Sequence, residues 1–355
     1  MRRARKMKAA ALLLAGSMAL AACASDEPAA GGGGGEGGGT ATEELRVGLA
    51  YDTGGRGDRS FNDSAYAGAS AAVEALDGEL QELSPNDDAS NRAELLTQLA
   101  EQGFNPVIAV GFNYDDVIAE VAPQFPDTTF AQVDGSNEDG AKGDNVTGLV
   151  FAEEQGSFLA GVAAALKSES AHIGFVGGVE SPLIEKFEAG FVAGAQAVNP
   201  QIVIDRQYIS PAGDFSGFND PARGQIVAQG MYDAGADIVY HAAGGSGIGV
   251  FQAAASAGKR AIGVDSDQYQ TVDDPALQAV IMTSMLKRVD NAVEAFINEF
   301  SEGTVEGAAD VRYDLEGEGV GLSTSGGYID DIQQDIDGYA QQIIDGTITV
   351  PTTIE

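Results

Sequence analysis

The chain has no tryptophan, two histidines and a single cysteine. One thiol makes no internal disulfide. His172 and His241 are far apart, with no cysteine beside either, which excludes a zinc site built on imidazole and thiolate. Both sit inside apolar runs and read as packed strand residues or as bases of a Ser-His-Asp arrangement. No Gly-x-Ser-x-Gly elbow supplies the nucleophile for the latter. Basic charge is also scarce, with 19 Lys and Arg against 54 Asp and Glu. Five of the basic residues (Arg2, Arg3, Arg5, Lys6, Lys8) precede Cys23. The rest of the chain therefore carries 14 against 54, a net −40. Such a surface repels phosphate backbones and anionic lipid, so nucleic acid is not expected as a partner; adaptation to salt is another origin for the charge. No apolar run approaches the ~20 residues that span a bilayer. No Gly-Lys-Ser/Thr sequence forms a P-loop.

What is present begins with an address. A basic start leads into residues 9–22, which are mostly apolar, and then to Leu20-Ala21-Ala22-Cys23. This is an export signal ending in a lipobox, whose thiol accepts a diacylglycerol. Two acyl chains are enough for stable anchoring. Residues 31–39 are glycine apart from Glu36, a tether that builds no core. The expected layout is a signal peptide over 1–22, lipidated Cys23 and tether over 23–43, and a folded part from residue 44, held at the extracytoplasmic face of the cell membrane.

From Leu45 onward, short apolar runs alternate with helical periodicity, which predicts parallel sheets with crossover helices. Strands are expected at 45–51, 78–83, 106–112, 129–134 and 145–152. After a helix at 153–167 the pattern restarts, with strands at 172–178, 201–209, 237–243, 260–265 and 280–284. Helices are expected between them, then one at 286–300, short strands near 311–315 and 320–323, and a last helix at 331–344. Each half holds about four βα units, too many for one compact sheet, so the chain reads as two lobes with a cleft between them.

The stretch around which the rest is organised runs from Leu45 to Asn62. An apolar strand ends in Asp52, passes Gly54, Gly55 and Gly57, and enters a helix at Ser60-Phe61-Asn62. Ser60 and Asp63 have capping-box spacing. Asp52, Asp134 and Asp265 all fall at strand ends, where open parallel sheets bind ligands. Their carboxylates accept from hydroxyl, amino and ring N–H groups, and Phe61 offers a stacking face. Lys287 is either a ligand donor or a solvated helix charge. The glycine-rich turn Gly244-Gly245-Ser246-Gly247 resembles a dinucleotide loop, with Asp265 downstream. The spacing fails at Val250, so no nicotinamide or flavin is expected; neither is any other cofactor or a metal. Gly245 still lets a polar ligand approach backbone N–H groups. Paired carboxylates for glycoside hydrolysis remain an open alternative, because acids are plentiful.

Taken together, Asp52 through Ser60-Phe61-Asn62, Phe158-Leu-Ala-Gly161, Ile173-Gly-Phe-Val-Gly-Gly178, Phe187-x-x-Gly190-Phe-x-x-Gly194, Ala243-Gly-Gly245, Gly263-Val-Asp265-Ser-Asp267-Gln268 and Thr283-Ser-Met-x-Lys287 resemble the basic membrane protein family of bacterial lipoproteins, including its purine nucleoside receptors. The resemblance implies the type I periplasmic-binding-protein fold, an α/β architecture of two Rossmann-like lobes joined by three strands. One lobe would be 44–149 with 282–303, the other 150–281 with 304–355. It implies a monomeric, non-enzymatic protein that hands nucleosides to an ABC permease. Phe61 would then stack on the base with Asn62 beside it. Asp52 and Asp134 would meet the base edge, and Asp265 and Lys287 the ribose. Phe218 is expected as the second ring, with Phe215 next. The loop 210–220 and Gly111-Phe-Asn-Tyr114 depart from the family pattern. A sugar or small signalling molecule in the same fold is the alternative, and an extracytoplasmic nucleoside hydrolase a further one.

Overall fold

The computed structural model describes residues 44–86 and 89–354. The export signal, Cys23 and the glycine tether lie outside the described residues. The first lobe contains strands β1 (Arg46–Ala50), β2 (Glu79–Leu83), β3 (Val107–Val110), β4 (Phe130–Val133) and β5 (Val146–Phe151). The second contains β6 (His172–Val179), β7 (Val203–Ser210), β8 (Ile238–Ala242), β9 (Arg260–Asp265) and β10 (Ile281–Lys287). The chain then returns to the first sheet as β11 (Ala309–Tyr313) and to the second as β12 (Val320–Leu322).

The sheet orders are β11-β5-β4-β3-β1-β2 and β12-β10-β9-β8-β6-β7. Every pairing in the first sheet is parallel; in the second only β12 runs antiparallel, against β10. Each sheet changes winding direction at one point, between β1 and β3 in the first and between β6 and β8 in the second. Ligand crevices of open α/β sheets form at such points.

The central strands are apolar because helices cover both faces. Val47, Leu49, Ile108, Val110, Ile173, Phe175, Val239 and Ile262 are all fully buried. Helices Pro182–Val198 and Pro221–Ala234 start as their sequences direct. Proline occupies the first turn, and Ser181 and Asp220 accept hydrogen bonds from the backbone N–H groups of Ile184 and Arg223.

The chain passes between lobes after β5, after β10, and between β11 and β12. Two expectations change here. The strand expected at 280–284 runs on to Lys287, because Met285 and Lys287 pair with Leu322 and Val320 of β12; the following helix starts at Val289, not 286. For the same reason residues 282–287 belong to the second sheet, not the first lobe. Residues 309–313 pair with β5 in the first sheet, not the second.

Candidate functional site

The carboxyl ends of β1, β3, β4, β8, β9 and β10 converge on a cleft between the lobes. Asp52, Phe61, Asn62, Asp134, Phe218, Gly245, Asp265 and Lys287 all line it, so the folded chain brings together every candidate residue named from the sequence for the cleft.

Asp52 leaves β1 almost fully buried. Its Oδ1 accepts from the backbone N–H of Thr53 at 2.7 Å, from Asn113 Nδ2 at 3.1 Å and from Arg92 Nη2 at 3.1 Å. Arg92 makes the ion pair through Oδ1, and Oδ2 accepts from Asn113 Nδ2 at 3.4 Å. Gly111, with φ +108, ends β3 where any Cβ would strike the Asp52 carboxylate at 2.4 Å, so glycine is required there.

The glycine loop after Asp52 is closed by Asp58. Its carboxylate accepts from the backbone N–H groups of Ser60, Asn62 and Asp63 at 2.8–3.1 Å and caps the helix Phe61–Ala75. The Ser60–Asp63 capping box is therefore not formed. Ser60 turns its hydroxyl to the other lobe, where it donates to Asp265 Oδ2 at 2.5 Å. Burial pushes the Asp58 carboxyl up to about 6. Asn62 is engaged on both ends of its amide: Oδ1 accepts from Asp52 N at 3.0 Å and Nδ2 donates to Asp58 at 3.2 Å. One N–H remains for the cleft.

At the hinge side sits a buried charge cluster. Lys287, the last residue of β10, is 1% exposed. Its Nζ lies 2.6 Å from Asp134 Oδ1 and 3.1 Å from Glu153 Oε1. The solvated-helix reading of Lys287 is thereby overturned. Asp134 and Asp265 both leave their strands with positive φ, +64 and +63, a conformation aspartate tolerates better than most residues. Burial opposes the Lys287 charge, but Asp134, Glu153 and Asp265 together hold its pKa above the ordinary range. Glu153 also pairs with Lys186 at 3.3 Å, and burial pushes Asp134 up to about 7 and raises Asp265.

Aromatic rings come from both lobes. Phe61 and Phe112 belong to the first, Phe187 and Phe218 to the second, and all four line the cleft. Phe218 sits in space left by Gly178, where a Cβ would meet its ring at 2.4 Å. Its loop is held by Ser246, which donates to Gly217 O and accepts from Asp220 N, each at 2.7 Å. Phe215 does not line the cleft; it packs edge-on against Phe112 with centroids 6.0 Å apart.

Both histidines are packed strand residues. His241 is fully buried and hydrogen-bonded to Gln268 at 3.0 Å, and burial lowers its pKa to about 4. His172 pairs with Asp205 at 2.9 Å, away from the cleft.

Sequence reasoning missed Asp58, Phe112, Phe187 and Glu153 as site residues. Asp58 had a signal, an acid just before a helix start. Phe187 was legible only as part of the motif Phe187-x-x-Gly190-Phe-x-x-Gly194, and Glu153 as a favourable first-turn charge.

Residues 46–353 match the family described as Bmp, ABC transporter substrate-binding protein PnrA-like. A CD4+ T-cell-stimulating antigen of Listeria monocytogenes is 38% identical, with 88% of this chain and 89% of the relative covered. The ABC transporter nucleoside-binding protein BmpA of Lactococcus lactis is 33% identical, covering 87% and 90%. Basic membrane protein A of Borreliella burgdorferi is 33% identical, covering 88% and 90%. Among solved structures, an ABC transporter solute-binding protein of Aeropyrum pernix superposes with a TM-score of 0.74 at 27% identity, over 88% of this chain and 94% of that one.

Proposed function

The chain belongs to the PnrA-like Bmp family of ABC transporter substrate-binding proteins, which bind a solute for a permease and are not enzymes; from that membership we propose that it captures nucleosides, purine nucleosides foremost, and delivers them to an ABC importer while anchored through Cys23 on the extracytoplasmic side. The observation that carries this reading is the pairing, in one cleft, of aromatic faces from both lobes with buried carboxylates at strand ends. A nucleoside has the matching parts: a flat base with N–H donors and a ribose with vicinal hydroxyls. Ring stacking is worth ~1–3 kcal/mol per base in single-strand nucleic-acid complexes. In this reading Phe61 and Phe218 flank the base, Asp52 and Asp134 take its donors, Asn62 and Gly245 supply N–H groups, and Asp265 and Lys287 hold the ribose. The Lactococcus relative, named as nucleoside-binding, supports the same ligand class.

The test is calorimetric titration of the protein after unfolding and refolding to strip any bound ligand. Adenosine, guanosine, inosine, cytidine and uridine are the ligands; ribose and glucose are the controls. Saturable purine nucleoside binding with no ribose response is expected. Silence for all five nucleosides would remove the ligand assignment.

A further inference from the structure

The two carboxylate oxygens of Asp265 have different surroundings. Oδ2 accepts from Ser60 Oγ, a group of the opposite lobe, at 2.5 Å. No protein donor among the described residues reaches Oδ1 within hydrogen-bond distance. Ser60 is fully buried, and its only other side-chain contact is to Val264 O at 3.2 Å. The bond is one of a row across the same gap. Ser266 Oγ donates to Ser60 O at 2.9 Å; Gln268 Nε2 and Thr271 Oγ1 each donate to Arg59 O at 3.1 Å. Arg59 Nη2 reaches Asp273 at 2.5 Å. The row holds the backbone of 59–60 in register with the end of β9, so the Ser60 hydroxyl faces Asp265 Oδ2 at 2.5 Å, closer than its other acceptor, Val264 O at 3.2 Å. The Asp58 cap explains why that hydroxyl is free: the helix start is satisfied without it.

We propose that Ser60 is a positioning residue for ligand binding, which fixes the Asp265 carboxylate from the facing lobe so that Oδ1 is presented to a hydroxyl pair of the ligand. The assignment rests on the reading of the cleft as a nucleoside site. It adds a division of labour: Asp265 touches the ligand, and Ser60 acts only through Asp265. Filling Oδ1 from the ligand and Oδ2 from the first lobe makes one side chain the common partner of ligand and closed lobes.

The experiment is a double-mutant cycle on the full chain, with Ser60→Ala, Asp265→Asn and both, titrated with the purine nucleosides. A hydrogen bond to a charged partner predicts that S60A weakens binding about tenfold or more. In the Asp265→Asn background the same change should cost several-fold less, because the amide leaves Ser60 only a neutral hydrogen bond in place of the charge-assisted one. Equal losses in both backgrounds would overturn the proposal and leave Ser60 a packing residue. A second measurement does not depend on the ligand. Carboxyl NMR of ¹³C-aspartate-labelled protein, with Asp265→Asn identifying the resonance, follows the titration of Asp265 directly. Loss of the Ser60 donor should move that titration to higher pH in S60A; an unchanged titration would overturn the proposal even if no nucleoside binds. Failure of the wild-type protein to bind any nucleoside, with the Asp265 titration shifted in S60A, would instead remove the ligand reading and keep Ser60 as the group that orients Asp265.

Discussion

Asp134 shows how a single residue ties the cleft to solution conditions. Burial raises its carboxyl from 3.8 to about 7, and Asp58 from 3.8 to about 6. Asp265 and Glu154 shift in the same direction, also through burial. A carboxyl with a raised folded-state pKa binds more protons folded than unfolded between its two pKa values. Its contribution to stability is therefore present below about pH 4 and is lost as pH rises through the folded value. His241, lowered to about 4, works in the opposite sense between pH 4 and 6.5, but Asp134 and Asp58 together shift further than it does. Lys287 is raised, so its contribution persists until pH exceeds its unfolded value, well above this window. The unfolding midpoint in urea should thus fall as pH rises from 5 to 7. Asp134→Asn should flatten that slope, and a midpoint that rises over this range would contradict the assignment of raised carboxyls.

At the level of elements, the helix Glu153–Lys167 places Glu153 beside Lys287, and three glycines hold it in position. A Cβ on Gly161 would lie 2.1 Å from Phe191 O. One on Gly190 would lie 2.2 Å from Glu154 O, and one on Gly194 1.9 Å from Phe158 O. Helices Glu153–Lys167 and Pro182–Val198 therefore touch backbone to backbone, which no larger residue permits. Helix propensity alone says Gly194→Ala should stabilise by ~1 kcal/mol. Overpacking says it should destabilise by ~1–3 kcal/mol, and because the obstacle is backbone the packing effect should win. Equilibrium unfolding in urea reads the sign. These elements were also the most legible part of the sequence. Glu153–Lys167, Pro182–Val198 and Pro221–Ala234 fall where charge, proline and periodicity place them. Acids at strand ends marked Asp52, Asp134 and Asp265 as candidates for the cleft. What the sequence did not show was partnership. Nothing local says that Ser60 bonds across the cleft instead of capping its helix, that Arg92 pairs with Asp52 from 40 residues away, or that β12 draws Lys287 into a strand. Each is decided by a segment distant along the chain.

For the molecule as a whole, the dominant quantity is charge. Beyond Cys23, 54 acidic residues face 14 basic ones, so even if every basic residue formed a pair, 40 acids would remain to repel one another. The Debye length shortens from about 10 Å at 0.1 M to about 3 Å at 1 M salt. Screening weakens the attractions made by 14 basic residues, such as Arg46–Glu79 and Lys167–Asp331, while it relieves repulsion among a much larger number of acids. The thermal midpoint should rise between 0.1 and 1 M NaCl; a flat or falling curve would mean that the local pairs outweigh the net field.

Both sheets point the carboxyl ends of their central strands at the same gap, and the groups around that gap lie on strand ends, turns and the first turns of helices instead of strand interiors. In evolutionary terms this separates framework from content. Exchanging Phe218, Phe112 or the 244–246 turn alters what is held without touching the strand pairing beneath. A lineage built this way can exchange one cargo for another by small edits at the rim, each tolerated by two lobes that need not refold to accept it.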